Sequence, residues 1–331
     1  MKTDQLGRRS FLKTSALAGV SGFLTSWPVR GEESAAPLRF GLIADIHKDV
    51  MHDADQRLRS FIDDMKKCDV DFILQLGDFC VPKEGNRPFL EIWNTFEGGR
   101  YHVLGNHDTD GGYKREQTVA WWKMPSRYYS FDRGGVHFVV LDGNDVPEDH
   151  TGGYPCYIAD DQQEWLQKDL AATKLATVVF VHQSIERESD GAVKNGGAIR
   201  KILEDANQSA GERKVVACFS GHHHRDYVRQ IKNIVYPQIN SASYYWVGGD
   251  YQKVRYSKEV DASHPYIKYT VPYKDPIYAI VTIDAARGFM QIEGKSSEFV
   301  GPAPWDLGKD RKAWDADTLR AEVSAWKMPI A

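Results

Sequence analysis

Five short apolar runs in this 331-residue chain end in side chains able to bind metal, and no other feature constrains the fold as much. Leu38 to Ala44 stops at Asp45-Ile46-His47, and Asp71 to Leu76 stops at Gly77-Asp78. Tyr101 to Leu104 stops at Gly105-Asn106-His107-Asp108, Thr177 to Val181 at His182, and Lys214 to Phe219 at Ser220-Gly221-His222-His223-His224-Arg225. Apolar runs of this length, bounded by turn residues, read as buried strands. One strand ending in Asp or His is ordinary, because turns favour such residues. Five of them, polar only at the C-terminal edge where α/β sheets bind ligands, point to one shared site.

Between these strands the apolar period changes to that of a helix. Leu58, Phe61, Ile62 and Met65 place a helix over Asp53 to Lys67, and Trp165, Leu166 and Leu170 place another over Asp160 to Ala172. Shorter helices are expected over Arg87 to Phe96 and Gly197 to Ala206, with a polar, Gly-rich excursion from Thr109 to about Arg127 in which Trp121 and Trp122 serve packing. The turn Asp132-Arg133-Gly134-Gly135 joins Tyr128–Phe131 to Val136–Leu141 as a hairpin. Further strands are expected at Tyr227–Ile231, Ile234–Ile239, Ile277–Ile283 and Phe289–Glu293. Alternating strands and helices give the α/β (α+β) class, and the hairpins make the sheets mixed. One domain is expected over 37–300, followed by a tail at 301–331 with a helix over Ala316 to Trp326.

Residues 1–36 read as a segment outside the fold. Arg8-Arg9-Ser10-Phe11-Leu12-Lys13 precedes a small-residue apolar stretch, Thr14 to Trp27, that is too short and too rich in Gly and Ser to span a bilayer. The pattern resembles a twin-arginine (Tat) signal, which implies the Tat export machinery as a partner, cleavage between Gly31 and Ala36, and a periplasmic or extracellular protein. The balance of 42 Lys+Arg against 46 Asp+Glu offers no global field for nucleic acid. Cys68, Cys80, Cys156 and Cys218 show no CxxC pair, and no bridge is expected; Cys68 and Cys218 read as buried thiols.

If the chain after the first strand stays extended, Asp45 and His47 point the same way, since residues i and i+2 share a face. The run-end donors mix nitrogen and oxygen, which suits Fe, Mn, Zn or Ni better than Mg or Ca. With DxH (Asp45, His47), GD (Asp78), GNHD (Asn106 to Asp108), a lone His182 and GHxH (His222, His224) in this order, the chain resembles the calcineurin-like metallophosphoesterases from about Phe40 to His224. The resemblance implies a four-layer α/β/β/α sandwich, two mixed sheets flanked by helices, with a binuclear centre at the strand ends. It implies two divalent or trivalent transition-metal ions (Mn, Fe or Zn), one held by Asp45, His47, Asp78 and His224, the other by Asp78, Asn106, His182 and His222. It further implies phosphoester cleavage by a metal-bridging hydroxide, with His107 protonating the leaving group, Asp108 beside it in the catalytic motif, and His223 turned away from the metals.

Val81 departs from the family's other branches, standing where purple-iron members carry a ligand Tyr and protein phosphatases an Asp. Substrate-side candidates are Tyr244, Tyr245 and Trp246, which could stack a flat group or merely cover a sheet edge, and Arg225 and Lys48, which could meet a phosphate oxygen or remain solvated. The reading leans to a phosphodiester or nucleotide-like small molecule. Phosphate scavenging from monoesters is the first alternative, and a metal- or ligand-binding module without turnover is the alternative of another class.

Overall fold

The computed structural model describes residues 4–5, 36–308 and 310–330, so the twin-arginine stretch and the segment after it lie outside the described residues. In chain order the elements are β1 (Asp4–Gln5), β2 (Leu38–Ile43), α1 (Ala54–Lys67), β3 (Phe72–Gln75), α2 (Arg87–Asn94), β4 (Gly99–His102) and α3 (Arg115–Trp122). The middle of the chain supplies β5 (Tyr129–Arg133), β6 (Val136–Val140), α4 (Asp160–Ala172), β7 (Ala176–Phe180), α5 (Gly196–Ala210), β8 (Val215–Phe219), β9 (Tyr227–Ile231) and β10 (Ile234–Gln238). It closes with β11 (Tyr244–Trp246), α6 (Lys258–Ser263), β12 (Thr270–Pro272), β13 (Ala279–Asp284), β14 (Phe289–Gly294) and β15 (Trp326–Pro329).

Two mixed sheets carry the molecule. The six-stranded sheet runs β15-β14-β13-β2-β3-β4, with β2, β3 and β4 mutually parallel. The seven-stranded sheet runs β1-β9-β10-β8-β7-β6-β5, with β6, β7 and β8 mutually parallel. Side chains on β7 alternate between two environments, as a strand covered on both faces requires. Val178 and Phe180 enter the core between the sheets, while Val179 and Val181 meet Leu166 and Leu170 of α4 and Ile199 and Leu203 of α5. Phe40 is the hub of the inter-sheet core: it stacks on Phe72 at 4.7 Å and meets Phe138, Phe180 and Phe219 edge-on at 5.8, 5.9 and 6.4 Å. On the other face of the six-stranded sheet, α1 buries Leu58, Phe61, Ile62 and Met65. The expected α/β/β/α layering is therefore the observed one.

Several elements differ from the sequence expectation. The excursion after Thr109 contains α3, whose Trp122 is buried and stacks on His102 at 5.1 Å, so its packing role holds within a helix that polar residues concealed. The helix expected over Ala316 to Trp326 does not form. Residues 311–318 are turns, Asp315 takes a left-handed φ of 52°, and Trp326–Pro329 instead pairs antiparallel with β14. Tertiary bonds decide this: Arg225 captures the Trp314 and Asp315 carbonyls, Asn240 Nδ2 donates to the Arg320 and Glu322 carbonyls, and the Asp226 carboxylate accepts from the Ser324 N–H and hydroxyl. The tail is thus a strap across the strand-end side of the fold. All four cysteines are free thiols, and Cys68 is half-buried rather than buried.

Candidate metal centre

The donors converge in two groups. Asp45, His47 and His224 form one, with His47 Nε2 3.1 Å from His224 Nε2 and Asp45 Oδ1 3.2 Å from His224 Nε2. Asp78, His182 and His222 form the other, with His182 Nε2 3.1 Å from Asp78 Oδ2 and 3.2 Å from both His222 Nδ1 and Asn106 Oδ1. Asp78 Oδ2 also lies 3.7 Å from His47 Nε2, so this carboxylate stands between the groups. Seven donors from the ends of five strands meet here, four from the six-stranded sheet and three from the seven-stranded one.

Electron-rich atoms crowd together with few protons between them, an arrangement that two cations satisfy. Burial holds His47 well below the usual imidazole range, and burial with the neighbouring His182 pushes His222 down to about 3, leaving both rings as neutral ligands. Burial opposes charge at His182 too, yet Asp78 and Asp45 lift it to about 10: the carboxylates demand positive charge at this point. Asn106 Nδ2 is buried without a hydrogen-bond partner, consistent with an amide oriented by its oxygen. The mixed N/O set fits transition-metal ions.

The backbone that delivers these groups is strained. Asp45, His47, Asp78, His222 and His224 all have positive φ, between 50° and 72°. The chain at Asp45 and His47 is therefore not extended, and the two side chains converge through left-handed turns instead. Such conformations cost on the order of 1–3 kcal/mol each and persist where the surroundings over-determine them. Here Asp45 N–H donates to the Gly77 carbonyl and His47 N–H to the Asp78 carbonyl, while Ser241 and Ser243 hydroxyls hold the carbonyls of Asp45 and Ile46. Gly221 lies so close to the Asp45 carboxylate that a Cβ there would sit 2.6 Å from Oδ2.

Asp108 belongs to this scaffold. It is fully buried, and its carboxylate accepts from the N–H groups of Asp78, Phe79 and Gly105. Its place in the catalytic motif is that of a loop holder, since it has no face on the cavity. His107 does face the cavity. Its Nδ1 lies 2.6 Å from Asp110 Oδ2 and 2.9 Å from the Tyr154 hydroxyl, which donates to Asp110 Oδ1 at 2.8 Å. Burial lowers the His107 pKa, but Asp78 and Asp110 outweigh it and raise it to about 9.

The cavity over the donors measures about 580 Å³. Tyr244, Tyr245 and Trp246 line it together with Tyr154, Asp190 and His223. Tyr244 is buried and stacks on His47 at 4.9 Å, so it is wall rather than platform, whereas Trp246 is exposed. His223 turns from the donor groups and its Nε2 meets the Ser184 hydroxyl at 2.9 Å. Arg225 is placed elsewhere: its guanidinium binds the strap and the Tyr245 hydroxyl. Lys48 likewise pairs with Asp55 at 2.6 Å. Neither cation lines the cavity, because Arg225 is held by the strap and Lys48 by Asp55.

Residues 38–226, more than half of the chain, match the profile of the calcineurin-like phosphoesterases. The chain belongs to this family. Among curated proteins it is similar to Purple acid phosphatase 22 of Arabidopsis thaliana, 29% identical over 45% of this chain and 33% of that one, and to Purple acid phosphatase 21, 27% identical over 58% and 45%. The chain thus spans less than half the length of these relatives. Its fold resembles a dimetal phosphatase from Danio rerio (TM-score 0.55, 13% identity, covering 80% and 98% of the two chains) and GAP50 of Plasmodium, described as the anchor in the inner membrane complex (TM-score 0.51, 15% identity, 87% and 96%).

As a calcineurin-like phosphoesterase the chain departs from the purple branch at Val81, which is buried and donates its N–H to Asp49. No phenolate can come from that position. Sequence reasoning missed Asp110, Tyr154, Ser241 and Ser243. Asp110 was within reach, since it lies three residues after His107, while Tyr154 arrives on a loop with no local signal tying it to the motif.

Proposed function

We propose that this protein is a metal-dependent phosphohydrolase that cleaves phosphodiester or nucleotide-type small molecules. The observation that carries the reading is the convergence of seven donors from two sheets on the floor of a cavity that also exposes His107. Two transition-metal ions bound there would activate a water and neutralise charge on the phosphoryl oxygens. Asp78, between the two groups, fixes their spacing. Asp110 and Tyr154 hold His107 by Nδ1, which leaves Nε2 to carry a proton to the leaving oxygen. Such a transfer contributes ~10²–10⁴-fold.

Among the described residues lining the cavity there is no Lys or Arg, so beyond the metals a dianionic monoester meets only the His107 proton, which is spent on the leaving group rather than on its extra charge. That favours the diester over phosphate scavenging. With Val81 in place of a Tyr, the loaded protein should be colourless. Export through the Tat route belongs to the same proposal and rests on Arg8 and Arg9; replacing both by Lys should keep the protein in the cytoplasm.

The test is hydrolysis of bis-(p-nitrophenyl) phosphate against p-nitrophenyl phosphate by protein loaded with Mn²⁺. The diester should be the better substrate. A faster monoester would move the reading to phosphate scavenging, and no cleavage of either with both sites filled would leave a metal- or ligand-binding module.

A further inference from the structure

Around the metal donors the cavity lining includes an acidic residue and aromatic ones. Asp190, on the loop between β7 and α5, is exposed and has no hydrogen-bond or ion-pair partner among the described residues. Its loop lies directly on the second donor group: Gly191, at φ 79°, packs so closely that a Cβ would sit 2.6 Å from His222 Nε2. Of the three exposed aromatic side chains among the described residues, two, Tyr154 and Trp246, line this cavity. Trp246 is braced by Tyr244 at 6.5 Å and Tyr269 at 5.7 Å, and Tyr154 is fixed through its hydroxyl. Nearby Lys48 and Arg225 are committed to other partners. A free carboxylate lining the same cavity as two exposed aromatic rings attracts an organic cation, by charge and by the ring quadrupole. The same carboxylate repels the additional phosphates of a nucleotide polyphosphate.

We infer that the cavity selects zwitterionic phosphodiesters, with the phosphoryl group at the metal donors and an ammonium group held by Asp190 against Trp246 and Tyr154. This rests on the phosphohydrolase reading and names its substrate class. Cleavage follows the same balance as any diester: water adds its oxygen to phosphorus, the P–O bond to one alcohol breaks, and that alcohol leaves with a proton.

The choline group and its uncharged carbon isostere, 3,3-dimethylbutyl, separate charge from shape. With the metal-loaded full chain, p-nitrophenyl phosphorylcholine should exceed p-nitrophenyl 3,3-dimethylbutyl phosphate in kcat/KM by about tenfold. Calorimetric binding of phosphocholine against 3,3-dimethylbutyl phosphate should show the same order. Asp190→Asn should reduce both ratios severalfold, and Trp246→Ala should do so independently. Equal values for the two isosteres, or ratios unmoved in Asp190→Asn, overturn the inference while hydrolysis of bis-(p-nitrophenyl) phosphate keeps the phosphohydrolase reading intact. Glycerophosphocholine and phosphatidylcholine vesicles form two further arms, and turnover in one of them identifies a soluble or a membrane-borne source; resistance of both overturns the choice of substrate class.

Discussion

Five of the seven candidate donors are a compromise between backbone preference and chemistry. Asp45, His47, Asp78, His222 and His224 hold a conformation that L-residues avoid, and at the Asp45–His47 turns the bonds donated to the Gly77 and Asp78 carbonyls and received from the Ser241 and Ser243 hydroxyls compensate. His107, by contrast, bonds Asp110 and Tyr154 through its side chain, while its backbone N–H, which donates to Asp78 Oδ1 at 2.9 Å, survives substitution, so the side chain can be altered without unseating a donor. His107→Gln should keep wild-type metal content, checked by elemental analysis, while kcat on a diester with an aliphatic leaving group falls ~10²–10⁴-fold. The fall should be smaller for p-nitrophenolate, which leaves without a proton. An unchanged rate on the aliphatic substrate would remove His107 as the acid.

At the scale of elements, the β5–β6 hairpin is clamped to α4 by a histidine that takes no part in the site. His137 on β6 bonds Asp132 on β5 through Nδ1 at 2.6 Å and Asp169 on α4 through Nε2 at 2.8 Å. Burial disfavours its charged form, but the bonds to Asp169 and Asp132 outweigh that and raise its pKa. A raised folded pKa means that the clamp contributes fully below the unfolded value near 6.5 and is lost as pH rises through the folded value. Wild type should therefore exceed His137→Phe by about 1–3 kcal/mol in urea unfolding at pH 5.5, with the gap narrowing at pH 9. A gap that widens with pH would contradict the charged clamp. The elements themselves were legible where their signal is local: α4 was read at its observed bounds because its apolar period is complete in one window. The positive φ values, the β15 pairing and the role of Arg225 were not legible, because each depends on partners distant in sequence: Ser241 and Ser243 for the turns at Asp45 and Ile46, β14 for β15, and Trp314 and Asp315 for Arg225. That the candidate donors would converge was legible for the opposite reason, since each follows closely on its own apolar strand.

Among the described residues, the two sheets meet in the aromatic core around Phe40, in hydrogen bonds such as those between Tyr129 and the His102 backbone, and in the donor cluster at one edge. The core holds the sheets together at all times. The cluster sets four donors from one sheet against three from the other, so like groups face each other until cations intervene. Metal binding is therefore also a clamp between sheets, and it should stabilise the fold by RT ln(1 + [M]/Kd), about 2.7 kcal/mol at a hundredfold excess over Kd. Adding Mn²⁺ or Zn²⁺ should raise the melting temperature of wild type and a chelator should lower it. Asp78→Ala removes the carboxylate shared by both groups, so it should abolish tight metal uptake and flatten this response. Phe40→Ala should cost about 3–5 kcal/mol yet leave the metal-induced increment in place, because it opens the core and touches no donor. If Asp78→Ala retains two metals with a wild-type increment, the carboxylate does not bridge, and the two groups are separate sites that each span both sheets.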